Sequence, residues 1–330
     1  PPHQSSDASL ARGGVVLALA GVAEAGLAQS PAANATQISN DSQSASAAAA
    51  QEATNPFKRG ADRTKFAEFY AELDAKEAVA TTTEATCVGP IKYTGQAELQ
   101  RDIDNFRSAL KNVKTEEAFL PVAAPASVIP DRKNEYYRSD EELQAAIADA
   151  MRTEYKMIID AGFLLQLDDA RSAVTYDRMV PPASFADYRK WLSKQVDILN
   201  HAIEGLPADR IRYHVCWGSW PGPHTSDVPL REIVDLILKV KVGAYVIEGA
   251  NPRHEHEWED LEAIEIPDEK ILIPGVIDST TNFVEHPRLV AQRRARTLRR
   301  GRRGGARARR RAGHRVLARE RRLRAATVAR

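Results

Sequence analysis

The sequence predicts an α/β fold of the TIM (β/α)8-barrel type that is incomplete, with about five of the eight strands recognisable. Short apolar runs alternate along the chain with segments in which apolar residues recur every three to four positions, as strands and amphipathic helices do. Several of these runs end in His, Cys, Asp or Glu, and a barrel of this type builds its functional site at the carboxyl ends of its strands. The five runs assigned to the barrel lie near residues 118, 163, 211, 244 and 271.

The first half of the barrel region contains three predicted helices and three predicted strands. Ser139 with Glu142 three positions later is typical of a helix start closed by a capping box. Residues 87–93 alternate like a short strand, and Cys87 in that segment falls outside the barrel strands and has no expected metal role. In order, the elements are a helix at 63–76, a strand at 87–93, a helix at 96–110, a strand and turn at 118–125, a helix from Ser139 to Ala161 and a strand at 162–168.

The second half continues the same alternation. Its predicted elements are a helix at 185–205, a strand at 211–216, a helix at 228–240, a strand at 244–248, a short helix at 255–263 and a strand at 271–278. Strands separated by helices in this way form a parallel sheet with its helices packed outside it.

Composition and cysteine count limit the class of protein. The chain has 330 residues, 43% of them hydrophobic and 28% charged, which is enough for one large domain or two smaller ones. Its two cysteines, Cys87 and Cys216, cannot make a disulfide framework and favour a reducing compartment or a metal site. We therefore expect a cytoplasmic protein, and the sequence has no apolar run of about 20 residues that would predict a membrane span.

Charge is strongly segregated along the chain. Residues 293–330 hold 17 Arg, no Lys and a single acidic residue, whereas 29 basic and 44 acidic residues give 1–292 a net charge of about −15. One interpretation of the tail is a basic arm that binds nucleic acid. The lack of Lys, and of aromatic residues for base stacking, favours instead a tail translated out of frame or a disordered basic tail. We therefore expect no nucleic-acid partner.

The N-terminal segment is also irregular. Residues 1–60 are rich in Ala, Ser, Gln and Asn, which is typical of low-complexity or disordered chain. Arg12, an apolar stretch and small residues near Ala28 have the outline of a secretory signal, but Glu24 interrupts it. We predict three regions: 1–60 without a fold, signal-like or mistranslated; 61–292 as the partial barrel that carries the site; and 293–330 as the Arg-rich tail.

The most informative motif is the triplet His214-Val215-Cys216 at the end of an apolar run. Side chains two apart on a strand point to the same face, so an imidazole and a thiol would converge there. Such a pair chelates a soft divalent metal such as zinc, and Glu248 at the end of the next run adds a candidate oxygen ligand. The alternative interpretation is a core histidine and a buried structural cysteine.

Two nearby groups are further candidates. His254 and His256, with Glu255 between them and Glu257 after them, could form a second metal cluster. Side chains two apart on a helix diverge, however, so we favour a solvated charged face. Trp217 and Trp220 flank the loop after the triplet, where they would either stack on a flat donor such as a pterin or pack within the loop.

Four motifs together resemble the catalytic domain of cobalamin-independent methionine synthase, particularly its stand-alone bacterial relatives, which include the epoxyalkane–coenzyme M transferases. The motifs are L-L-Q-L-D-D from Leu164, H-V-C-W-G from His214, V-I-E-G-A-N-P-R-H-E-H-E-W from Val246 and I-P-G-V-I-D-S-T-T-N-F-V-E-H-P from Ile273. They occur in the family's order and spacing, and the resemblance covers about 63–292.

This resemblance implies a zinc-dependent S-methyltransferase of methionine biosynthesis that alkylates a small-molecule thiol, by default homocysteine, with a methylated folate as donor. The implied zinc ligands are His214, Cys216 and Glu248. Asp168 matches the aspartate that holds the amino group of the thiol substrate, and Asp278 matches the aspartate of the G-V-x-D strand, so both are candidate catalytic residues. The resemblance places Asn251 at the mouth of the barrel, where Trp217 is a second candidate for substrate binding.

The sequence departs from the family at several points. Thr280 stands where the methionine synthases carry a histidine that donates a proton. The D-C-G turn with the fourth zinc ligand is absent because the family pattern stops after Gln292, and the N-terminal H-T-G-S-x-P and D-G-E elements are also missing. Two alternatives therefore stay open: a catalytically incompetent truncated or frame-shifted barrel fragment, and an alkyltransferase like epoxyalkane–coenzyme M transferase that uses an epoxide donor.

Overall fold

A computed structural model describes residues 59–76, 85–128, 132–218, 222–264, 266–267, 270–278 and 280–303 of the chain. Residues 1–58 of the predicted low-complexity segment, with its signal-like outline, and most of the Arg-rich tail lie outside these residues. Every element below belongs to the described part of the chain.

The centre of the structure is a parallel sheet of five strands, which confirms the predicted α/β fold and its incomplete barrel. The strands are β2 (Phe119–Ala123), β4 (Leu164–Asp169), β5 (Ile211–Val215), β6 (Ala244–Ile247) and β7 (Ile271–Pro274). Their order in the sheet follows their order in the chain, and all four pairings are parallel. This is the strand order of a (β/α)8 barrel, with five of its strands present in the described residues.

Two short strands stand apart from this sheet. β1 (Ala85–Cys87) pairs in parallel with β3 (Arg132–Asn134), and residues 88–95 contain no further strand. The predicted strand at 87–93 is therefore wrong in its bounds. Gly89 and Pro90 explain the early end, because glycine weakens a strand and proline cannot donate to its hydrogen-bond ladder.

Helices connect the strands. They are α1 (Ala61–Lys65), α2 (Ala67–Lys76), α3 (Gln96–Leu110), α4 (Pro125–Val128), α5 (Asp140–Asp160), α6 (Thr175–Met179), α7 (Phe185–Ala202), α8 (Val234–Ile237), α9 (Trp258–Ala263) and α10 (Pro287–Arg303). Single 3-10 turns occupy Ala208–Arg210, Leu230–Glu232 and Glu255–Glu257. Within the described residues, no helix combines the length and the apolar character that crossing a bilayer requires.

Local sequence signals explain where the two longest barrel helices begin. The Ser139 side chain accepts a hydrogen bond from the backbone of Glu142, as its spacing predicts. Ser184 and Asp187 form a complete capping box at the start of α7. The predicted helix at 228–240, in contrast, is only a 3-10 turn followed by α8. The Leu230, Ile233 and Ile237 side chains are fully buried. Packing of these side chains therefore overrides the helical propensity of the segment.

The sheet packs one face against the helices, and its other face is less buried. On β5, Ile211, Tyr213 and Val215 are almost fully buried, whereas Arg212 and His214 between them keep partial exposure. The alternation has the period of two that a strand imposes. It therefore directs every second side chain of β5 to the inner face of the sheet.

Helix α10 crosses the predicted boundary between residues 292 and 293. Arg293 is 8% exposed, donates to a carboxylate oxygen of Glu285 and bonds Glu255 over 3.1 Å. Arg293, the first residue of the Arg-rich segment, thus packs against the barrel region. The remaining tail, 304–330, lies outside the described residues, and the division into three regions stays a prediction.

Candidate metal centre

The carboxyl ends of β5 and β6 carry the three predicted ligands at neighbouring positions of the sheet. In the parallel register His214 lies opposite Val246. Two residues further on, Cys216 and Glu248 occupy adjacent positions just beyond the ladder, where the backbone amide of Cys216 still bonds the Asp169 carbonyl at 3.1 Å. The arrangement follows from the strand period and the register, both of which the sequence pattern determines.

These residues line a common cavity of about 230 Å³. The side chains that the sequence singled out and that line it are His214, Cys216, Glu248, Asn251, Asp278 and Thr280. The cavity therefore brings together residues from the ends of three neighbouring strands. Asp168 and Trp217 are not part of its lining.

Both oxygens of Glu248 accept hydrogen bonds. Oε1 accepts from the backbone amide of Trp217 at 3.3 Å, and Oε2 accepts from the side-chain amide of Asn251. The Asn251 oxygen in turn accepts from the backbone amides of Arg253 and His254, each at 3.0 Å. These two bonds fix the orientation of the Asn251 amide, so that its NH2 group faces Glu248.

The thiol of Cys216 is held neutral by its surroundings. Burial raises its pKa to about 12, with a further contribution from the negative charge of Glu248. The sulfur accepts a hydrogen bond from the Gly218 amide at 3.2 Å, which acts in the opposite direction but does not offset the burial. A bound cation would reverse this balance, because a thiol that coordinates a metal ion is deprotonated.

His214 carries an unsatisfied polar atom. Its Nδ1 is buried and has no hydrogen-bond partner within the described residues. A buried polar atom without a partner costs about 1–3 kcal/mol, and such atoms are rare in folded proteins. A ligand bonded to this nitrogen would remove the cost.

The donor types fit zinc, whereas the donor side chains do not converge on one point in the described residues. Imidazole, thiolate and carboxylate are the three ligand types that zinc takes in proteins, and the unsatisfied His214 nitrogen agrees with that chemistry. However, across the described ranges no three His, Cys, Asp or Glu side chains are close enough to hold one ion. Cys216 and Glu248 each accept a hydrogen bond from a backbone amide of the loop after β5.

Asp168 lies beside His214 in the sheet, at the paired position on β4. Burial raises its pKa, and His214 and Arg212 act against that increase through their charges. Its Oδ1 accepts from the side-chain amide of Gln166 at 2.9 Å. The carboxyl group is therefore half-buried, has a pKa above its ordinary value and lies beside His214 in the sheet, although it does not line the cavity.

Asp278 lies in a loop rather than in the predicted strand at 271–278, because β7 ends at Pro274. Its carboxylate accepts from the amide and hydroxyl of Thr280, at 2.8 and 2.7 Å, and from the Thr281 hydroxyl at 2.8 Å. Burial alone would raise the pKa of Asp278, but these hydrogen bonds lower it. The Asp278 carboxylate thus stabilises the turn by accepting hydrogen bonds, one of them from the Thr280 hydroxyl.

The Trp217 side chain packs inside the loop. It is completely buried, its indole N–H donates to the Val228 carbonyl at 2.8 Å, and its ring centroid lies 4.8 Å from that of His254. This placement supports loop packing over stacking on a substrate. Trp220 lies outside the described residues.

The sequence pattern missed a buried ionic cluster behind Trp217. His254 is 4% exposed and places both ring nitrogens on carboxylates: Nδ1 lies 3.0 Å from Glu257 and Nε2 lies 3.1 Å from Asp227. The predicted solvated face is therefore wrong for His254 and Glu257, whereas His256 is exposed. The spacing of three between His254 and Glu257 was the only signal in the sequence, since Asp227 comes from another loop.

Protein stability should fall with rising pH because of His254. Burial by itself lowers the pKa of His254, but its bonds to Asp227 and Glu257 outweigh burial and raise the pKa from 6.5 to about 9. A raised pKa contributes stability that is complete below pH 6.5 and is lost as the pH rises through 9, in total about 3 kcal/mol. Urea unfolding at pH 6.5 and 9.5 should show this decrease in wild type and in His256→Gln, but not in His254→Gln. A decrease of equal size in all three proteins would contradict the assignment.

Comparison with known proteins identifies relatives of this chain. No family model matches it. The methionine synthase of Thermococcus kodakarensis is 25% identical over 217 residues, which are 62% of this chain and 56% of that protein. The methionine synthase of Saccharolobus solfataricus is also 25% identical, over 141 residues that cover 42% of this chain and 38% of that protein.

A solved structure is similar as well. It is a B12-independent methionine synthase from Shewanella sp. W3-18-1 in complex with selenomethionine, with a TM-score of 0.49 and 22% identity over 65% of this chain and 59% of the other. The chain spans little more than half the length of the first of its curated relatives. Over this shared region, the chain is similar in sequence to methionine synthases.

Proposed function

We propose that the chain carries the zinc-dependent thiol-methylating centre of its family, with homocysteine as acceptor and a methylated folate as donor. The observation that supports this most strongly is the position of His214, Cys216 and Glu248 around one cavity at the carboxyl ends of adjacent parallel strands. Functional sites of (β/α)8 barrels lie at this end of the sheet. The reducing cytoplasm is the proposed compartment, because the centre requires a free cysteine.

In this proposal His214, Cys216 and Glu248 hold the zinc ion. Zinc supplies the positive charge that keeps a thiol deprotonated, and only the thiolate is a good nucleophile. Asn251 holds the Glu248 carboxylate through its side-chain amide. Asp168, half-buried beside His214, is the proposed partner of the amino group of the thiol substrate. Asp278 fixes a turn that lines the cavity.

A second candidate function uses a different thiol and an epoxide donor. Thr280 motivates it, because it stands at the position of the histidine that would donate a proton during methyl transfer. The Thr280 hydroxyl instead donates a hydrogen bond to Asp278. The third possibility, an incompetent barrel fragment, is motivated by the spacing of the donors, because no three His, Cys, Asp or Glu side chains of the described residues are placed to hold one ion.

One assay separates these three functions. The purified chain is stripped of metal with a chelator, reloaded with zinc and incubated with homocysteine and a methylated folate, or with coenzyme M and a short epoxide. We expect methionine to form only after zinc is restored. Alkylated coenzyme M without methionine would favour the second candidate. A folded protein that makes neither product with zinc would overturn the proposed function and favour the incompetent fragment.

A further inference from the structure

The turn from Asn251 to His254 contacts the groups that hold Glu248. Asn251 donates to Glu248 Oε2, and the Asn251 oxygen is fixed by the backbone amides of Arg253 and His254. The other oxygen, Oε1, accepts from the Trp217 amide, and the Trp217 ring packs on the His254 ring. Both oxygens of the carboxylate are therefore held by residues that contact His254.

The same turn also reaches the loop after Cys216. The Arg253 guanidinium donates to the Gly218 carbonyl at 3.0 Å. The Gly218 amide, in turn, donates to the Cys216 sulfur at 3.2 Å. A single short turn thus fixes the neighbours of two of the three predicted ligands, although it supplies no ligand itself.

His254 attaches this turn to the rest of the protein. Its imidazole bridges Asp227 and Glu257, which come from the loop after β5 and from the 3-10 turn before α9. Each carboxylate has an additional partner: Asp227 bonds His224 at 3.0 Å, and Glu257 accepts from the Leu230 amide at 2.8 Å. Two opposed N–H donors on one planar ring are needed to satisfy both carboxylates, and among neutral side chains none provides them.

We propose that His254 is a positioning residue that, through the Asn251–Arg253 turn, sets the orientation of Glu248 and Cys216 for metal binding. This inference rests on the proposed zinc centre. It adds that the ionic bridge beneath the turn, rather than the cavity lining alone, determines zinc affinity. Groups that only orient metal ligands typically change metal affinity by about 10–100-fold when they are replaced.

The test is the zinc dissociation constant of His254→Gln, measured by competition with a chelating dye and compared with wild type. Glutamine can donate to one carboxylate but presents an oxygen to the other. We expect zinc to bind about 10–100-fold more weakly. His256→Gln is the matched control, because it makes the same substitution at an exposed position two residues away, and its zinc affinity should equal that of wild type.

A second variant keeps the test decisive if His254→Gln does not fold. Arg253→Met removes the bond to Gly218 and keeps an apolar stem of similar length, and it should also weaken zinc binding. A purely structural role would lower the melting temperature of the zinc-free variants and leave the zinc affinity of the folded protein unchanged, which would overturn the inference alone. A wild-type chain that binds no zinc would overturn the proposed function together with this inference.

Discussion

Replacing Cys216 with serine should abolish zinc binding and with it thiol methylation. Zinc prefers a thiolate to a hydroxyl, which stays protonated at neutral pH. Residues that merely orient a ligand change metal affinity by up to about 100-fold, so the loss of a ligand should exceed about 100-fold. Metal analysis after dialysis should find about one zinc per wild-type chain and essentially none in Cys216→Ser, and methionine formation should fall to background.

Cys87→Ser provides the matched control for this prediction. Cys87 is the other cysteine of the chain, lies in β1 outside the barrel sheet and donates to the Gly89 carbonyl at 3.3 Å. A serine hydroxyl can make the same hydrogen bond, so zinc content should be unchanged. Equal zinc in Cys216→Ser and wild type, or its loss in Cys87→Ser, would contradict the ligand assignment.

Asp169→Ala should cause the largest loss of stability among the barrel residues discussed. This carboxylate is 2% exposed at the end of β4. It accepts from the amides of Arg171 and Ser172, at 3.0 and 2.8 Å, and from the Tyr213 hydroxyl at 2.6 Å. Alanine leaves these buried donors without an acceptor. Since each such group costs about 1–3 kcal/mol, the free energy of unfolding should fall by roughly 3–5 kcal/mol in total.

Two controls define the origin of that effect in urea unfolding. Asp169→Asn keeps the shape of the side chain and one acceptor oxygen, so its loss of stability should be intermediate. Asp160→Ala removes a carboxylate that is exposed and paired with Lys156, and should change stability by less than about 1 kcal/mol. An Asp169→Ala effect no larger than that of Asp160→Ala would show that the buried network does not stabilise the strand ends.

The barrel strands and the neighbouring positions of the candidate ligands could be predicted because they depend on local patterns. The runs at β4, β5 and β6 are apolar and bounded by loops, and a strand directs residues two apart to one face. His214 and Cys216 follow directly from that period. Glu248 joins them because sequential parallel strands meet at their carboxyl ends.

What could not be predicted depends on packing between distant segments. β3 pairs with β1 over a long sequence separation and has no apolar pattern of its own. The His254 imidazole can be buried because it bonds the carboxylate of Asp227, which comes from a different loop. The hydrogen bonds that turn Glu248 and Cys216 toward backbone amides likewise depend on the Trp217–Gly218 loop, and no local pattern encodes that loop conformation.

Zinc X-ray absorption of the purified, zinc-loaded chain tests the central claim most directly, because it measures the atoms bonded to the metal. The proposed centre predicts one sulfur at about 2.3 Å and nitrogen or oxygen ligands at about 2.0–2.2 Å, with the sulfur lost in Cys216→Ser. A shell of only nitrogen and oxygen, or a sulfur shell that survives this substitution, would contradict a centre built on His214, Cys216 and Glu248.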